Sequence, residues 1–203
     1  MTTQNTWYQA ENHLAGTDEF MAALVARYGP CPLQPRADYF TQLCKSIVSQ
    51  QLSTKSAAAI FGRFSSLFGH TPTAAEVAAT PRETLREQGL SQQKITYLYD
   101  LAAKVADGTI SLEHFAALPD EEVITQLVQV KGVGVWTAQM FLIFALNRPD
   151  VLPTDDFGVR KAIMQGYCLE AMPGKLEMEL IAEPWRPWRS IASWYLWRSL
   201  ENT

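Results

Sequence analysis

Apolar residues recur three and four positions apart along almost the whole chain, and no stretch alternates apolar with polar residues between hairpin turns. The first pattern puts a stripe down one side of a 3.6-residue helix, and the absence of the second argues against half-buried strands. Tyr39, Phe40, Leu43 and Ile47 form such a stripe that stops at Gln50, where Ser53 is placed to cap a helix carrying Ile60, Phe61, Phe64 and Phe68. Thr80, Pro81 and Glu83 read as a capping box with proline at the first helical position, and Gly89 as its stop. Ser91 opens a helix whose stripe is Ile95, Leu98, Tyr99, Ala102 and Val105, ended by Gly108. Further periodic segments span Pro119 to Val128, Val135 to Leu146, Asp156 to Gly166, Lys175 to Glu183 and Pro187 to Leu200. An all-α fold of about ten helices is expected.

With 203 residues, 47% of them hydrophobic and 19% charged, the chain has enough apolar material for one large domain or two lobes sharing a core. Proline and glycine cluster at Gly29 to Pro35 and again from Pro149 to Pro153. The first cluster reads as the join between an N-terminal helix and a central lobe, 36–154; the second reads as a functional loop. Residues 155–203 are expected to return to 1–35 as a second helical lobe, with a cleft between the two.

Several classes are disfavoured. Met1 to Phe20 lacks the basic start and apolar stretch of a secretion signal, and the longest apolar run, Met140 to Leu146, is too short for a membrane span. Cys31, Cys44 and Cys168 are three in number and scattered, which suggests neither a disulfide framework nor a zinc site. A net charge of −4 weighs against a partner held by a general basic surface, so any nucleic acid must be gripped locally.

Such a grip is offered by Lys131-Gly132-Val133-Gly134, between an amphipathic segment (Val123, Ile124, Leu127) and an apolar one. Two glycines one residue apart make a tight turn that another backbone can approach closely. The N–H groups opening the second helix then favour an anion such as a DNA phosphate. Taken locally, the same glycines also suit a plain helix-helix turn. Asp156 follows Gly134 by 22 residues, behind the proline-containing loop Asn147 to Thr154. Taken locally, Asp155 and Asp156 are ordinary caps for the helix that follows.

Together these stretches resemble the helix-hairpin-helix DNA glycosylases. Val130 to Ala138 is similar to their hairpin, and Leu152-Pro153-Thr154-Asp155-Asp156 to their aspartate loop. Ile47 to Ser53, Gly89 to Lys94 and Pro187 to Ser190 resemble the 3-methyladenine DNA glycosylase II branch, in the same order along the chain. The resemblance is to a compact form, since the chain is too short for the extra N-terminal β-containing lobe of larger bacterial members. Iron-sulfur members need four clustered cysteines towards the C-terminus, where this chain has Cys168, so no cluster is expected. Backbone-cutting members carry a lysine where Trp136 stands, so the resemblance implies a single-function enzyme.

The resemblance implies an activity: hydrolysis of the N-glycosidic bond of an alkylated purine flipped out of double-stranded DNA, leaving an abasic site. It assigns Asp156 as the catalytic carboxylate, 20 residues after Trp136, and leaves Asp155 as the cap. It places Trp136, Met140 and Trp197 at the base pocket. An aromatic face would hold a cationic base by about 1 to 2 kcal/mol more than a neutral one. It puts Lys131, Gly132, Val133, Gly134 and Thr137 against the DNA, with Gln50, Gln51 and Leu52 at the gap left by the base; Gln51 and Leu52 are both open as the wedge. The chemistry requires no cofactor, but a structural Na⁺ or K⁺ on the main-chain carbonyls of Val128, Val130 and Val133 is implied. A monomer is expected, cytoplasmic with the nucleoid in a bacterium or nuclear in a eukaryote. A non-catalytic helix-hairpin-helix DNA-binding module and a mismatch or oxidised-base glycosylase are the alternatives, and the preferred lesion is left open.

Overall fold

The computed structural model describes residues 3–201, with side chains described from Trp7 onward; Met1 and Thr2 of the segment read for a secretion signal lie outside it. Among the described residues the regular elements are helices: α1 (Thr3–Ala15), α2 (Glu19–Tyr28), α3 (Tyr39–Ser49), α4 (Thr54–Ser66), α5 (Ala74–Ala79), α6 (Arg82–Glu87), α7 (Gln92–Ala106), α8 (Asp120–Leu127), α9 (Val135–Phe144), α10 (Phe157–Gly166), α11 (Lys175–Ile181) and α12 (Arg189–Ser199). Single 3₁₀ turns stand at Leu112–His114 and Glu183–Trp185. The all-α expectation therefore holds. None of these helices is long and apolar enough to cross a membrane.

The chain forms two compact units, one of residues 1–35 with 142–203 and one of residues 36–141. The second division falls after Phe141, earlier than the boundary after Thr154 drawn from sequence. The reason lies in the loop that follows α9: the Ser190 N–H donates to Pro149 O, and the Val151 N–H to Ser190 Oγ, each at 2.9 Å. These bonds tie the loop to the start of α12.

In the first unit α1, α2, α10 and α12 pack around Leu14, Met21, Ile163, Trp185, Tyr195 and Leu196, all buried. In the second, α7 packs on α3, α5 and α6, burying Ile95, Leu98 and Leu101 against a core that includes Ile47, Phe64, Val77 and Leu85. Apolar burial of this kind, about 25 cal/mol per Å², is the main stabilising term in each unit.

Caps follow the sequence in two cases and depart from it in one. Ser53 and Ser91 accept the N–H groups of Ser56 and Lys94 at the starts of α4 and α7. The Thr80 box does not form: Pro81 precedes α6 without a side-chain cap, because the Thr80 hydroxyl donates to Glu76 O at 2.8 Å and closes α5 instead. The capping box is one helix earlier, between Thr73 and Glu76.

Candidate active site

In the 36–141 unit, α8, the turn 128–134 and the start of α9 form the expected hairpin. Gly132 has φ +79°, and a Cβ built on it would lie 2.1 Å from the Tyr97 ring. The space its missing side chain leaves is thus filled by α7, not kept for an outside backbone as the sequence suggested. Gly134 is the open one, with nothing within 4 Å of a Cβ there. The first ladder bond of α9 runs from the Ala138 N–H to Gly134 O at 3.0 Å, so the N–H groups preceding it lie ahead of the intrahelical ladder at the positive end of the helix. Val133 and Thr137 are buried beside this end.

Helix α7 holds the turn through residues one turn apart. Tyr97 packs on Gly132, and Asp100 accepts the Lys131 N–H at 2.8 Å. The Lys131 ammonium lies 3.7 Å from Asp100, which also pairs with Lys104 at 2.7 Å. Burial raises the Asp100 carboxyl, but the Lys104 and Lys131 donors and their charge outweigh it and leave the group below the usual carboxylate value. Lys131 is therefore partly engaged within the protein, although its side chain is 66% exposed.

The break after α3 belongs to the same cluster. Gln50 Nε2 donates to Gly132 O at 2.8 Å, and Lys94 Nζ to Val48 O at 2.7 Å. Gln51 is exposed with φ +58°, a left-handed conformation uncommon for a side-chain-bearing residue, and Leu52 beside it is 36% exposed. Tyr97 and Asp100 support the turn and are not singled out by the sequence, where Lys94 figures only as the end of the stretch Gly89 to Lys94. Their signal was the spacing of polar residues along one side of an otherwise apolar-striped helix.

In the other unit, Asp156 is one of few buried polar residues, 9% exposed. Its backbone, φ −74° and ψ 119°, is that of an N-cap, and its N–H donates to Pro153 O at 3.0 Å. Asp156 Oδ1 accepts two hydrogen bonds at 2.8 Å, one from the Val159 N–H and one from Trp197 Nε1. The division of labour expected from sequence is corrected here: Asp156 itself caps α10, and Asp155 is exposed one residue earlier. The Pro153 carbonyl turns the chain so that the second acid, not the first, reaches the helix start. Gly158 allows this packing, since a Cβ there would lie 3.0 Å from Trp197 and 3.1 Å from Asp156.

Trp197 is half-buried and its ring lies against Phe144, centroids 5.5 Å apart and planes tilted by 31°. Phe144 is a position the sequence reading passed over, although it falls two turns after Trp136 on α9 with Met140 between them. Residues four apart share a helix face, so the three line one side of α9. Trp136 is 44% exposed and Met140 half-buried.

The carbonyls named for a monovalent cation belong to the turn that follows α8, where Val128 is the C-cap residue and Val130 and Val133 come after it. Val130 O accepts the Val133 N–H at 3.0 Å, which uses one of its two lone pairs. This donor set, neutral oxygens only, fits a weakly charged ion such as Na⁺ or K⁺. Among the described residues no group of three or more His, Cys, Asp and Glu side chains is placed to hold a metal.

The doubly hydrogen-bonded carboxylate of Asp156 and the glycine hairpin 132–134 fall within one stretch of the chain that a known family matches. The family model of the HhH-GPD superfamily of base excision DNA repair proteins matches residues 44–187, which include both. The chain belongs to this superfamily. DNA-3-methyladenine glycosylase 1 of Schizosaccharomyces pombe (strain 972) is 38% identical over 197 residues, covering 94% of this chain and 86% of that relative. The solved structure of S. pombe 3-methyladenine DNA glycosylase, Mag1, in complex with abasic DNA is similar at a TM-score of 0.83, covering 94% of this chain and 96% of that one. A DNA-3-methyladenine glycosidase from Bacillus halodurans, 30% identical, gives a TM-score of 0.84 and covers 95% and 89%.

Proposed function

We propose that this protein is a DNA glycosylase that flips an alkylated purine, such as 3-methyladenine, out of double-stranded DNA and hydrolyses its N-glycosidic bond, leaving an abasic site. The observation that carries the reading is Asp156, a buried carboxylate with one oxygen fixed by Val159 and Trp197. Breaking the bond between the sugar C1′ and the purine nitrogen leaves the electron pair on the base and builds positive charge on the sugar. A carboxylate whose orientation is already set stabilises that charge without reorganising, and can orient the attacking water.

The indole that orients Asp156 also presents its face with Phe144, and these rings give an electron-poor alkylated purine a stacking surface. Trp136 and Met140 are assigned to the same task from the α9 face. The start of α9 at Gly134 takes a phosphate through main-chain N–H groups, with Val133 and Thr137 supporting that end and Lys131 adding charge nearby. Gln51 is the wedge in this reading. Its left-handed backbone turns it outward while its neighbour Gln50 is tied to the hairpin, and Leu52 flanks it. A Na⁺ or K⁺ on the carbonyls of Val128, Val130 and Val133 would offset the partial negative charge at the C-terminal end of α8. We place the enzyme wherever the cell keeps its DNA, acting as a monomer.

The test is release of free base from duplexes bearing single defined lesions. The protein as it stands should release an alkylated purine, and Asp156→Asn should release none while keeping its fold and its affinity for lesion DNA. Binding without base release by the unaltered protein would favour a non-catalytic DNA-binding module. Release only of oxidised or mismatched bases would move the substrate class.

A further inference from the structure

The reaction as proposed makes no use of the segment Pro187 to Ser190 or of Asp150, yet these residues form a dense polar contact in the 142–203 part of the chain. Arg189, in the first turn of α12, donates from Nε to Asp150 Oδ1 at 2.5 Å and from Nη2 to Oδ2 at 3.0 Å. The same Nη2 reaches Asp150 O at 3.3 Å, and Arg186 Nη1 adds a bond to Asp150 Oδ2 at 2.8 Å. The Arg189 side chain is 12% exposed and that of Asp150 25%, so this two-pronged pair is well shielded compared with an ordinary surface ion pair. The next residue, Ser190, takes the Val151 N–H on its hydroxyl and gives its own N–H to Pro149. Three consecutive loop residues are thus fixed to the N-terminal turn of α12. Two turns further along, the same helix supplies Trp197, whose indole N–H holds Asp156.

We infer that Arg189, with Ser190, is a positioning residue for Asp156: α12 grips the loop 149–156 at both ends and sets where the carboxylate stands. The inference rests on the glycosylase reading above. Its energetic reason is that a displacement of about 1 Å at a reacting group can cost on the order of 100-fold in rate, while a binding surface elsewhere is left as it was. A planar guanidinium is required because it meets both carboxylate oxygens at once, which an ammonium cannot do.

The experiment compares Asp150→Asn, Arg189→Gln, Arg189→Lys and the double variant Asp150→Asn/Arg189→Gln with the unaltered chain. Three quantities are measured at a temperature where circular dichroism shows each folded. They are the single-turnover rate of base release, the dissociation constant for a duplex carrying a stable abasic analogue, and the ¹H–¹⁵N resonance of the Trp197 indole, assigned with Trp197→Phe. The rate should fall about 10- to 100-fold with the dissociation constant within about threefold, and the indole resonance should move. Arg189→Lys should recover only part of the rate, and the double variant should be no worse than the poorer single one, because the two residues act as one unit. If a charge-removing variant fails to fold, Ser190→Ala supplies the same comparison with a smaller perturbation. An unchanged rate overturns the inference, as does a weakened affinity at unchanged rate, which would make Arg189 a DNA contact. If the unaltered protein releases no base, the glycosylase reading fails and the indole resonance alone decides whether the grip on Asp156 exists.

Discussion

Gln50 and Gly132 are joined by a side-chain amide donating to a main-chain carbonyl at 2.8 Å, which fastens the break after α3 to the turn of the hairpin. Gln51, turned outward by its left-handed backbone, starts from this anchored point. Lys94 secures the same break through Val48, and Tyr97 and Asp100 secure the turn, so α7 sets both segments in one frame.

Replacing Gln50 with alanine removes the tie while leaving Gln51 and the hairpin glycines intact. Stability should fall by about 1 kcal/mol, the net value of one hydrogen bond. Affinity for lesion DNA should fall by more than affinity for undamaged duplex, since only the first needs the wedge in register. Equal losses on both, measured by fluorescence anisotropy, would detach Gln50 from base flipping.

The two hairpin glycines should separate cleanly. Gly132→Ala forces a Cβ into the Tyr97 ring at a positive φ, and the loss should be at least about 2 kcal/mol by thermal or urea denaturation. Gly134→Ala meets nothing within 4 Å and should change stability by no more than about 0.5 kcal/mol. Gly134→Asp brings bulk and negative charge to the helix start. It should raise the dissociation constant for every duplex, damaged or not, by about tenfold, or 1.4 kcal/mol. A folded Gly134→Asp protein that binds DNA normally would remove the phosphate from this turn.

The helices are legible in the sequence because their periodicity is local, and so are caps such as Ser53 and Ser91 that have no competing use. What escapes is set by the path of the chain between elements. Thr80 does not cap the helix after it because its hydroxyl closes the preceding one, and the choice between Asp155 and Asp156 is made by a Pro153 carbonyl that sequence cannot place. Gly132 looks like a gap left for a partner, but only the fold reveals Tyr97 in it. Phe144 is hidden for the opposite reason: in so apolar a helix an exposed aromatic reads like its buried neighbours.

Since Asp156 caps α10 and is also the carboxylate proposed for the chemistry, its substitutions should split the two roles. Asp156→Asn retains an acceptor for the Val159 N–H and should lose little stability, whereas Asp156→Ala should lose about 1 kcal/mol. Both should be inactive. Asp155→Asn, at an exposed position, should alter neither melting temperature nor base release. A destabilised Asp155→Asn variant would return the cap to the first acid.

If Trp136 stands where backbone-cutting members of the family carry a lysine, as the resemblance implies, the product should be an intact strand with an abasic site. An indole nitrogen has no basic lone pair, so it cannot attack the sugar to form a Schiff base, and water must be the nucleophile. Lys131 is the nearest alternative in sequence, but the structure gives it other work. Its N–H donates to Asp100 at 2.8 Å and its ammonium lies 3.7 Å from the same carboxylate, so the side chain is drawn towards α7. Borohydride added during the reaction should therefore trap no protein-DNA adduct, and strands should break only after alkali. Lys131→Ala should keep the full rate of base release while its binding shows a weaker dependence on salt, by about one counterion. An adduct formed by the unaltered protein and lost in Lys131→Ala would make this a bifunctional enzyme with Lys131 as its nucleophile.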